Sequence, residues 1–498
     1  ASLKDICLYY QKSNIVTQIM KQKFFFILVI AAISFASYAK PKPEQPKYVF
    51  YFILDGCGVN TILGTEMYNA SLEGRIGRVP TLMSTFPVAS MASTYSVTNG
   101  VTDSSASGTA LASGVKTYNG AMGVNKDTIP VYSIASWAKA SGKLVGVGTS
   151  VCINHATPGA QYSHRPSRHD YYGIGLDLAA SGFDFFGGSD FNQATGRKRD
   201  QKSLHQIAAD SGYVIARGLK DYETKKGNAE KLIFFQMQPE SDVDPGSLPY
   251  WIDHKPGQVC VPDVVQAQID FLYTKDIKKK GFFIMNEIGG KIDYASHPND
   301  AATAFAEVAT ADSCVRIAYD FYLQHPKETL IVITADHETG GMTLGNMRGG
   351  YTLNLAILKN QKCSDGTFTR VLQKLRSETH NKVTWEQVKS ALTEYFGFFD
   401  AVEIKEDEEK MLKDIYTRSF EGKMENERNL YYENEPITGT AVRLLNQKAR
   451  IGWTTGGHTA GFVPVYAIGV GAEKFTHQTD NAEIPVTLAE VAGYKIIR

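Results

Sequence analysis

The chain has 498 residues, of which 43% are hydrophobic and 21% are charged, as is typical of a globular protein. Lys plus Arg and Asp plus Glu each total 52, so the formal net charge is zero. A surface that neutralises nucleic acid needs clustered, excess Lys and Arg. The balance therefore argues against specificity for nucleic acid, while it leaves room for a local pocket that binds a small anion.

The first forty residues have the pattern of an export signal. A short basic stretch at 20–23 precedes an apolar run at 24–36 and small residues that end at Ala39, which is the order found in signal peptides. The apolar run is shorter than the about 20 residues of a membrane span, so a cleaved peptide is favoured over a stable membrane anchor. We interpret 1–19 as a non-native upstream extension and 20–39 as the signal peptide, and we expect a periplasmic or secreted protein after cleavage near Ala39.

Strand and helix patterns alternate along most of the remaining chain. Nearly continuous apolar runs at 47–54, 144–151, 232–236, 281–285, 329–334 and 464–470 are typical of strands buried on both faces. Helical patterns lie between them at 131–141, 262–279, 300–323 and 484–492. The alternation predicts an α/β fold, a three-layer sandwich with a largely parallel central sheet.

Residues 350–451 depart from this alternation. They are charged, they contain helical patterns at 384–395, 406–417 and 438–448, and they lack a strong strand run. We interpret this segment as a helical insertion into a catalytic domain that comprises 40–349 and 452–498.

Cysteine spacing excludes two kinds of site. Cys57, Cys152, Cys260, Cys314 and Cys363 follow the predicted signal peptide, and no pair has C-x-x-C spacing. A thiolate zinc site and a redox motif are therefore not supported. One or two disulfides and buried free thiols both remain open.

Acidic and histidine side chains follow the predicted strands at the point where each strand ends. Because the carboxyl ends of parallel strands meet at one edge of a sheet, we expect these side chains to lie close together. Clustered carboxylates repel one another strongly unless cations lie between them, and His together with carboxylate suits Zn²⁺. Each residue alone is more typical of a turn, a helix cap or the surface, but together they indicate a metal site. The residues are Asp55, Glu287, Asp293, His297, Asp336, His337 and His458.

Two further segments point to an anion. Residues 102–114 consist almost entirely of small side chains around Ser104, and the N-terminus of the helix that they predict favours a negative charge. The same pattern is also that of an ordinary helix cap. Downstream, Thr157 offers a hard oxygen ligand suited to Mg²⁺, and Arg168 offers a planar fork for two phosphate oxygens.

Taken together and in this order, these segments resemble the alkaline phosphatase family. The resemblance runs from about Tyr48 to Gly493. The matching segments are Asp55-Gly56, residues 103–110, His155-Ala156-Thr157-Pro158, Arg168, Glu287, Asp293-Tyr294-Ala295-Ser296-His297, Thr334-Ala335-Asp336-His337 and Gly457-His458.

The resemblance implies a function and a set of site residues. It implies hydrolysis of small-molecule phosphate monoesters through a phosphoserine intermediate at Ser104, with Arg168 holding the phosphate. It also implies two Zn²⁺ ions and one Mg²⁺ ion, and homodimers are common in the family. The resemblance implies that Asp293, His297 and His458 bind one Zn²⁺. It implies that Asp55, Asp336 and His337 bind the other, with Ser104 beside it. Asp55, Thr157 and Glu287 are the implied ligands of Mg²⁺.

Two positions depart from the commonest pattern of the family. One extra residue separates Glu287 from Asp293, and the Gly289-Gly290 pair offers a place to absorb it. His155 occupies a position that is His in some members and Asp in others, and we expect it to act near the Mg²⁺ site through a bound water.

Alternative functions on the same scaffold are less well supported. A sulfatase needs a C-x-P-x-R-type motif, whose Arg is missing after Cys260-Val261-Pro262. Diesterases of the superfamily mostly use Thr as nucleophile, whereas this sequence has Ser104. An inactive metal- or phosphate-binding protein has no need for an activated hydroxyl.

Overall fold

The structure, a computed structural model, describes residues 18, 20–24, 44–237, 246–347, 350–422, 424–428 and 433–497. The chain divides into residues 1–44 and residues 45–498, and the fold below is that of the second unit. Most of the predicted signal peptide, including residues 25–39 around its cleavage site, lies outside the described residues. Within the described part of the chain, no helix is long and apolar enough to cross a membrane.

Ten strands form the main sheet, in the order β16-β2-β15-β8-β1-β7-β3-β4-β6-β5. Their bounds are β1 (Tyr48–Ile53), β2 (Val88–Ser93), β3 (Leu144–Thr149), β4 (Phe185–Gly188), β5 (Tyr213–Arg217), β6 (Lys231–Phe235), β7 (Phe282–Glu287), β8 (Thr329–Thr334), β15 (Val463–Gly469) and β16 (Thr479–Asp480). Only β15 runs opposite to its described neighbours, β2 and β8. The sheet is therefore largely parallel, as the sequence predicts.

Helices cover both faces of this sheet. The described α-helices are α1 (Val59–Leu72), α2 (Ser104–Ser113), α3 (Ile134–Ala140), α4 (Ala156–Gly159), α5 (Tyr171–Ala180), α6 (Leu204–Asp210), α7 (Gly218–Lys225), α8 (Val261–Lys275), α9 (Gly290–Ser296), α10 (Ala301–Gln324), α11 (Asp365–Glu378), α12 (Trp385–Phe396), α13 (Glu406–Tyr416), α14 (Pro436–Ala449) and α15 (Glu483–Ala492). Shorter helical turns lie at Met83–Thr85, Trp251–Asp253, Leu355–Asn360, Thr417–Glu421 and Ala472–Phe475.

Consecutive residues of β1 show how the layers form, because side chains of a strand alternate between its faces. The Phe50 ring packs against Phe321 of α10, with ring centroids 5.5 Å apart. On the opposite face, the Tyr51 hydroxyl donates to the Leu111 carbonyl of α2 at 3.2 Å. One strand thus contacts helices on both sides, and the predicted three-layer α/β sandwich is confirmed.

Four of the ten described strands of this sheet, β2, β4, β5 and β16, were not predicted from the sequence. In β2, Val88 and Ala92 are buried while Ala89 and Met91 are exposed, so the strand is covered on one face only. β4 is a four-residue Phe-Phe-Gly-Gly segment, and β16 has two residues. β5 is only partly buried. Short or half-exposed strands lack the continuous hydrophobic signal on which the prediction depended.

Residues 350–451 are mostly helical in the structure and carry α11 to α14. Their buried apolar side chains form a second cluster, separate from the one around the main sheet, in which Phe368, Leu392 and Leu445 pack together. Phe305 of α10 and Met342 also belong to this cluster, so they connect the segment to the rest of the fold.

Three short antiparallel pairs complete the strand inventory of the described chain. They are β9 (Glu338–Thr339) with β14 (His458–Thr459), β10 (Thr343–Leu344) with β13 (Ile451–Gly452), and β11 (Glu427–Arg428) with β12 (Glu433–Asn434). The five described cysteines, Cys57, Cys152, Cys260, Cys314 and Cys363, are all free thiols.

Candidate active site

Strand register brings the predicted metal-binding residues together. β1 lies between β8 and β7, and Ile53 is paired with both Thr334 and Glu287. Because the three strands are parallel, the residues that follow them emerge at one edge of the sheet. Asp55 and Asp336 both follow directly at that edge, and both are fully buried.

The first cluster consists of Asp55, Asp336 and His337, whose possible ligand atoms all lie within 4.8 Å of one another. The His337 Nε2 atom lies 3.2 Å from Asp55 Oδ1 and 3.4 Å from Asp336 Oδ2. Asp336 and His337 are adjacent in sequence, yet both face the cluster because β8 ends at Thr334 and the chain turns. The Gly56 and His337 amides donate to Asp336 Oδ1 at 3.3 and 3.0 Å and fix that turn.

Ser104 lies beside this cluster. It is the first residue of α2 and is fully buried, and its Oγ is 3.0 Å from His337 Nε2. Asp103 caps the helix by accepting from the Ala106 amide at 3.0 Å. The hydroxyl is thus held at the positive end of a helix dipole, where a negative charge is stabilised.

The second cluster contains Asp293, His337 and His458, again with possible ligand atoms within 4.8 Å. His297 adjoins it, since its Nε2 is 3.3 Å from Asp293 Oδ1. Asp293 and His297 lie one helical turn apart, and the His297 amide donates to the Asp293 carbonyl at 3.1 Å. The His337 and His458 rings stack with centroids 3.6 Å apart, so the two clusters are contiguous.

Backbone carbonyls orient two of these rings. His297 Nδ1 is 2.7 Å from the Gly456 carbonyl and His458 Nδ1 is 2.8 Å from the Thr102 carbonyl. A carbonyl only accepts, so each Nδ1 carries a proton, and in a neutral ring the Nε2 atom then presents a lone pair towards the cluster. This is the usual arrangement of metal-binding histidines.

Glu287 lies next to the first cluster despite the extra residue that follows it. Its carboxyl group is within hydrogen-bonding reach of Asp55, Thr149 and Thr157, and the Thr157 hydroxyl in turn is 3.4 Å from Asp55 Oδ2. The structure therefore brings together the three predicted Mg²⁺ ligands, all of which are buried.

Gly289 makes room for the extra residue. A Cβ atom on Gly289 would lie 2.5 Å from the backbone of Leu54 and Asp55, so only glycine permits the chain to pass this close to the end of β1. Helix α9 then starts at Gly290 and places Asp293 within its first turn.

Arg168 lies near Ser104 and is held from two sides. Its Nη1 donates to Asp103 Oδ2 at 3.0 Å, and its Nη2 is 3.3 Å from His155 Nε2. Asp103 thus caps the helix of Ser104 and also anchors the Arg168 guanidinium. This pair joins residues 65 positions apart.

The comparisons with known proteins agree with this geometry. The family model described as alkaline phosphatase matches residues 46–184 and 184–494, which is nearly all of the described catalytic unit. The chain belongs to the alkaline phosphatase family. It is therefore a phosphatase, a hydrolase of phosphate monoesters.

Individual relatives cover most of the chain. Alkaline phosphatase 3 of Bacillus subtilis is 29% identical over 95% of this chain and 98% of its own length. The crystal structure of a cold-active alkaline phosphatase from Shewanella sp. superimposes with a TM-score of 0.73 at 27% identity and covers 89% of this chain and 99% of its own. A variant of the alkaline phosphatase of the Antarctic bacterium TAB5, solved with Mg bound in a site called M3, has a TM-score of 0.62 at 25% identity over 91% of this chain and all of its own.

The buried carboxyl groups of this alkaline phosphatase site have strongly shifted pKa values, which favours the binding of cations. Burial, followed by the charges of Asp336 and Asp293, raises the pKa of Asp55 well above its usual value. Burial and the neighbouring acids likewise raise the pKa of Asp336. For Asp293, burial acts in the same direction, but the nearby histidines, His297 first among them, hold its pKa well below the usual range. Bound cations would remove the cost of keeping these buried carboxylates ionised.

The donor atoms fit divalent metal ions. Among the described residues, the buried atoms at this site that make no hydrogen bond include Asp55 Oδ1, Glu287 Oε1, Asp336 Oδ2 and His458 Nε2. Buried polar atoms without a partner are rare unless an ion or water satisfies them. Two clusters offer mixed nitrogen and oxygen donors and the group around Glu287 offers only oxygen, so the set suits two kinds of divalent ion.

Some residues that contact the site were not predicted from the sequence. Asp103 anchors Arg168, Thr149 hydrogen-bonds Glu287, and Thr339 contacts both candidate metal clusters. Thr339 lies two residues beyond His337, a spacing that places side chains on the same side of an extended chain, and that spacing was the available signal.

Proposed function

We propose that the protein hydrolyses phosphate monoesters through a phosphoserine intermediate at Ser104, at a centre that holds two Zn²⁺ and one Mg²⁺. The observation that carries this proposal is the 3.0 Å distance between Ser104 Oγ and His337 Nε2. His337 belongs to both candidate metal clusters, so the hydroxyl adjoins the shared residue of the centre.

The donor sets support specific ions. One Zn²⁺ is held by Asp293, His297 and His458, and the other by Asp55, Asp336 and His337, with Ser104 beside it. Mixed imidazole and carboxylate ligation is typical of zinc. Asp55, Thr157 and Glu287 hold Mg²⁺, since all three provide the oxygen donors that this ion prefers.

The chain's own residues bind and orient the substrate. When bound, the ions supply Lewis-acid activation of hydroxyl and water and neutralise charge on the phosphate. Arg168 presents its guanidinium to the equatorial phosphate oxygens, and Asp103 and His155 keep it in place. Ser104 Oγ gives up its proton and forms a bond to phosphorus as the bond between phosphorus and the ester oxygen breaks, and the leaving alcohol takes up one proton from solvent in exchange. Water then cleaves the Ser104 phosphoester and releases inorganic phosphate.

His155 remains neutral in this scheme. Burial, and then the positive charge of Arg168, lowers the pKa of His155 to about 3. A neutral ring accepts a hydrogen bond from Arg168 without repelling it. We propose that its second nitrogen acts near the Mg²⁺ site through a bound water.

Location, assembly and domain limits complete the proposal. The pattern of residues 20–39 supports export to the periplasm or secretion, with cleavage near Ala39 and no stable membrane anchor. The substrates are small phosphate monoesters without specificity for nucleic acid. Homodimers are common in this family, which makes a homodimer the assembly to test first. Residues 350–451 form an insertion into a catalytic domain that comprises 40–349 and 452–498.

Hydrolysis of p-nitrophenyl phosphate tests the proposed function against its alternatives. We expect the monoester to be cleaved faster than bis(p-nitrophenyl) phosphate, and we expect loss of activity with EDTA or with Ser104→Ala. Ser113→Ala is the matched control, because Ser113 is a buried serine of the same helix whose hydroxyl donates to the Thr109 carbonyl and accepts from the Val115 amide, neither of which belongs to a proposed site residue. Activity that survives both EDTA and Ser104→Ala contradicts the mechanism, and preference for the diester indicates a phosphodiesterase.

A further inference from the structure

Thr339 lies between the two metal-binding clusters. It is fully buried, and it belongs to β9, which pairs with β14 so that Thr339 is opposite His458. Its amide donates to the Gly56 carbonyl at 3.0 Å. The backbone is thus fixed on both sides, and the side chain has a defined position.

The Thr339 hydroxyl contacts one ligand from each proposed zinc site. Its Oγ1 lies 2.5 Å from Asp293 Oδ1 and 3.2 Å from His337 Nδ1. Asp293 is a proposed ligand of one ion and His337 of the other. A single side-chain oxygen thus joins a ligand of one ion to a ligand of the other.

The number of protons in this chain of contacts determines their direction. An ionised carboxylate only accepts hydrogen bonds, so the single hydroxyl proton of Thr339 is donated to Asp293. The Thr339 oxygen can then only accept from His337, so His337 Nδ1 carries a proton. A neutral imidazole has one protonated nitrogen, and the lone pair therefore lies on Nε2.

That tautomer is the one required at the centre. His337 Nε2 points towards Ser104 Oγ at 3.0 Å, Asp55 Oδ1 at 3.2 Å and Asp336 Oδ2 at 3.4 Å. In the described part of the chain, the Thr339 hydroxyl is the hydrogen-bond partner of His337 Nδ1, whereas the Nδ1 atoms of His297 and His458 face the carbonyls of Gly456 and Thr102. At His337 the hydroxyl takes the place of the carbonyl.

We propose that Thr339 is a positioning residue that fixes the metal-binding tautomer of His337 and the orientation of Asp293 with one hydroxyl group. This inference rests on the proposed metal centre. Hydrogen-bond partners of metal ligands typically contribute about 10–100-fold to metal affinity or activity. Because Thr339 acts on a ligand of each ion, its loss weakens both zinc sites together.

Substitution at Thr339 separates this role from simple packing. Thr339→Val keeps the shape and removes the hydroxyl, while Thr339→Ser keeps the hydroxyl and removes the methyl group. Thr310→Val is the matched control, since Thr310 is a buried threonine whose hydroxyl bonds only to the Ala306 carbonyl of its own helix. Zinc affinity of the full-length protein is measured by competition with a chromogenic chelator, and zinc content by atomic emission.

We expect Thr339→Val to bind both zinc ions about 10–100-fold more weakly, while Thr339→Ser and Thr310→Val remain close to wild type. Unchanged affinity in Thr339→Val overturns the inference. Equal losses in Thr339→Val and Thr339→Ser also overturn it, because the methyl group would then be responsible. If the wild-type protein binds no zinc, the proposed function itself fails, which distinguishes the two failures.

A measurement on the unsubstituted protein covers the case in which Thr339→Val does not fold. Histidine-¹⁵N NMR of the zinc-loaded protein reports which ring nitrogen carries a proton, with the His337 signals assigned by their absence in His337→Gln. The inference requires a protonated Nδ1 and a metal-bound Nε2. A protonated Nε2 at His337 contradicts it.

Discussion

Ser104 Oγ lies 3.0 Å from His337 Nε2, although the two residues are 233 positions apart. Ser104 begins a helix on one face of the sheet, and His337 follows the strand next to β1. Their contact places a buried hydroxyl beside the residue common to both candidate metal clusters. Single substitutions around this contact should have separate effects on metal binding, phosphate binding and stability.

Glu287→Gln should reduce Mg²⁺ binding and leave zinc in place. Glu287 adjoins Asp55 and Thr157, the other two proposed Mg²⁺ ligands. Of these three residues, Asp55 alone is also a proposed zinc ligand. Replacing a carboxylate oxygen by an amide nitrogen removes one hard donor. We expect activity to fall about 10-fold or more and to recover partly at high Mg²⁺. Zinc content by atomic emission is the internal control, and full activity with unchanged Mg²⁺ content would remove Glu287 from the ligand set.

Asp103→Asn should weaken phosphate binding without unfolding α2. The amide oxygen of Asn still caps the helix in place of Asp103 Oδ1, but the charge that anchors Arg168 is lost. A hydrogen bond to a charged group contributes about 1.5–3 kcal/mol. Phosphate inhibition constants should therefore rise about 10–100-fold, with a similar or larger rise for Arg168→Ala. If Asp103→Asn binds phosphate normally, the ion pair does not position the guanidinium.

Gly289→Ala should disturb the centre although Gly289 contacts no metal. The new Cβ would lie 2.5 Å from the backbone of Leu54 and Asp55, so β1 or α9 must move, and Asp293 is displaced with α9. Overpacking of this kind costs about 1–3 kcal/mol. We expect a lower thermal midpoint and reduced zinc content. Gly227→Ala is the control, because a Cβ there meets no atom within 4 Å.

Glu307→Gln should alter the pH dependence of stability. Burial raises the pKa of Glu307 from its usual value to about 7, against the effects of the Trp251 amide and Lys291. The folded state therefore holds this proton more tightly than the unfolded chain, and the associated stability, present below the unfolded pKa of 4.5, is lost as the pH rises towards 7.

Gln lacks this titration and can still accept the hydrogen bond from the Trp251 amide. The variant should match wild type near pH 4.5 and exceed it by about 1–3 kcal/mol near pH 8. Denaturant unfolding of both proteins at the two pH values measures the difference. An equal difference at both pH values would show that folding does not shift the pKa of Glu307.

Much of the fold follows from local sequence. The runs that became β1, β7 and β8 are fully buried in the middle of the sheet, and fully buried strands give a continuous apolar signal. By contrast, β2 and β15 pair through residues that are 371 to 379 positions apart, from Val463 with Ala92 to Ala467 with Val88. Their register, and the reversed direction of β15, depend on tertiary contacts that no local pattern contains.

In the site, too, some features follow from local sequence and others depend on tertiary contacts. The sequence places Asp55, Asp336 and His337 at strand ends, and the resemblance to the family assigns their roles. The contact between Asp103 and Arg168 and the position of Thr339 depend on the folded arrangement of distant segments. A threonine in a short strand looks like any other β-branched strand residue, so its hydroxyl gave no separate signal.

Chemical trapping of the covalent intermediate tests the central claim most directly. The metal-loaded enzyme is mixed with a ³²P-labelled phosphate monoester, quenched in acid within one turnover and digested for mass spectrometry. We predict one phosphoryl group on Ser104 in the wild-type protein and none at that position in Ser104→Ala. Turnover with no label on the protein, or with label on a residue other than Ser104, would contradict the account.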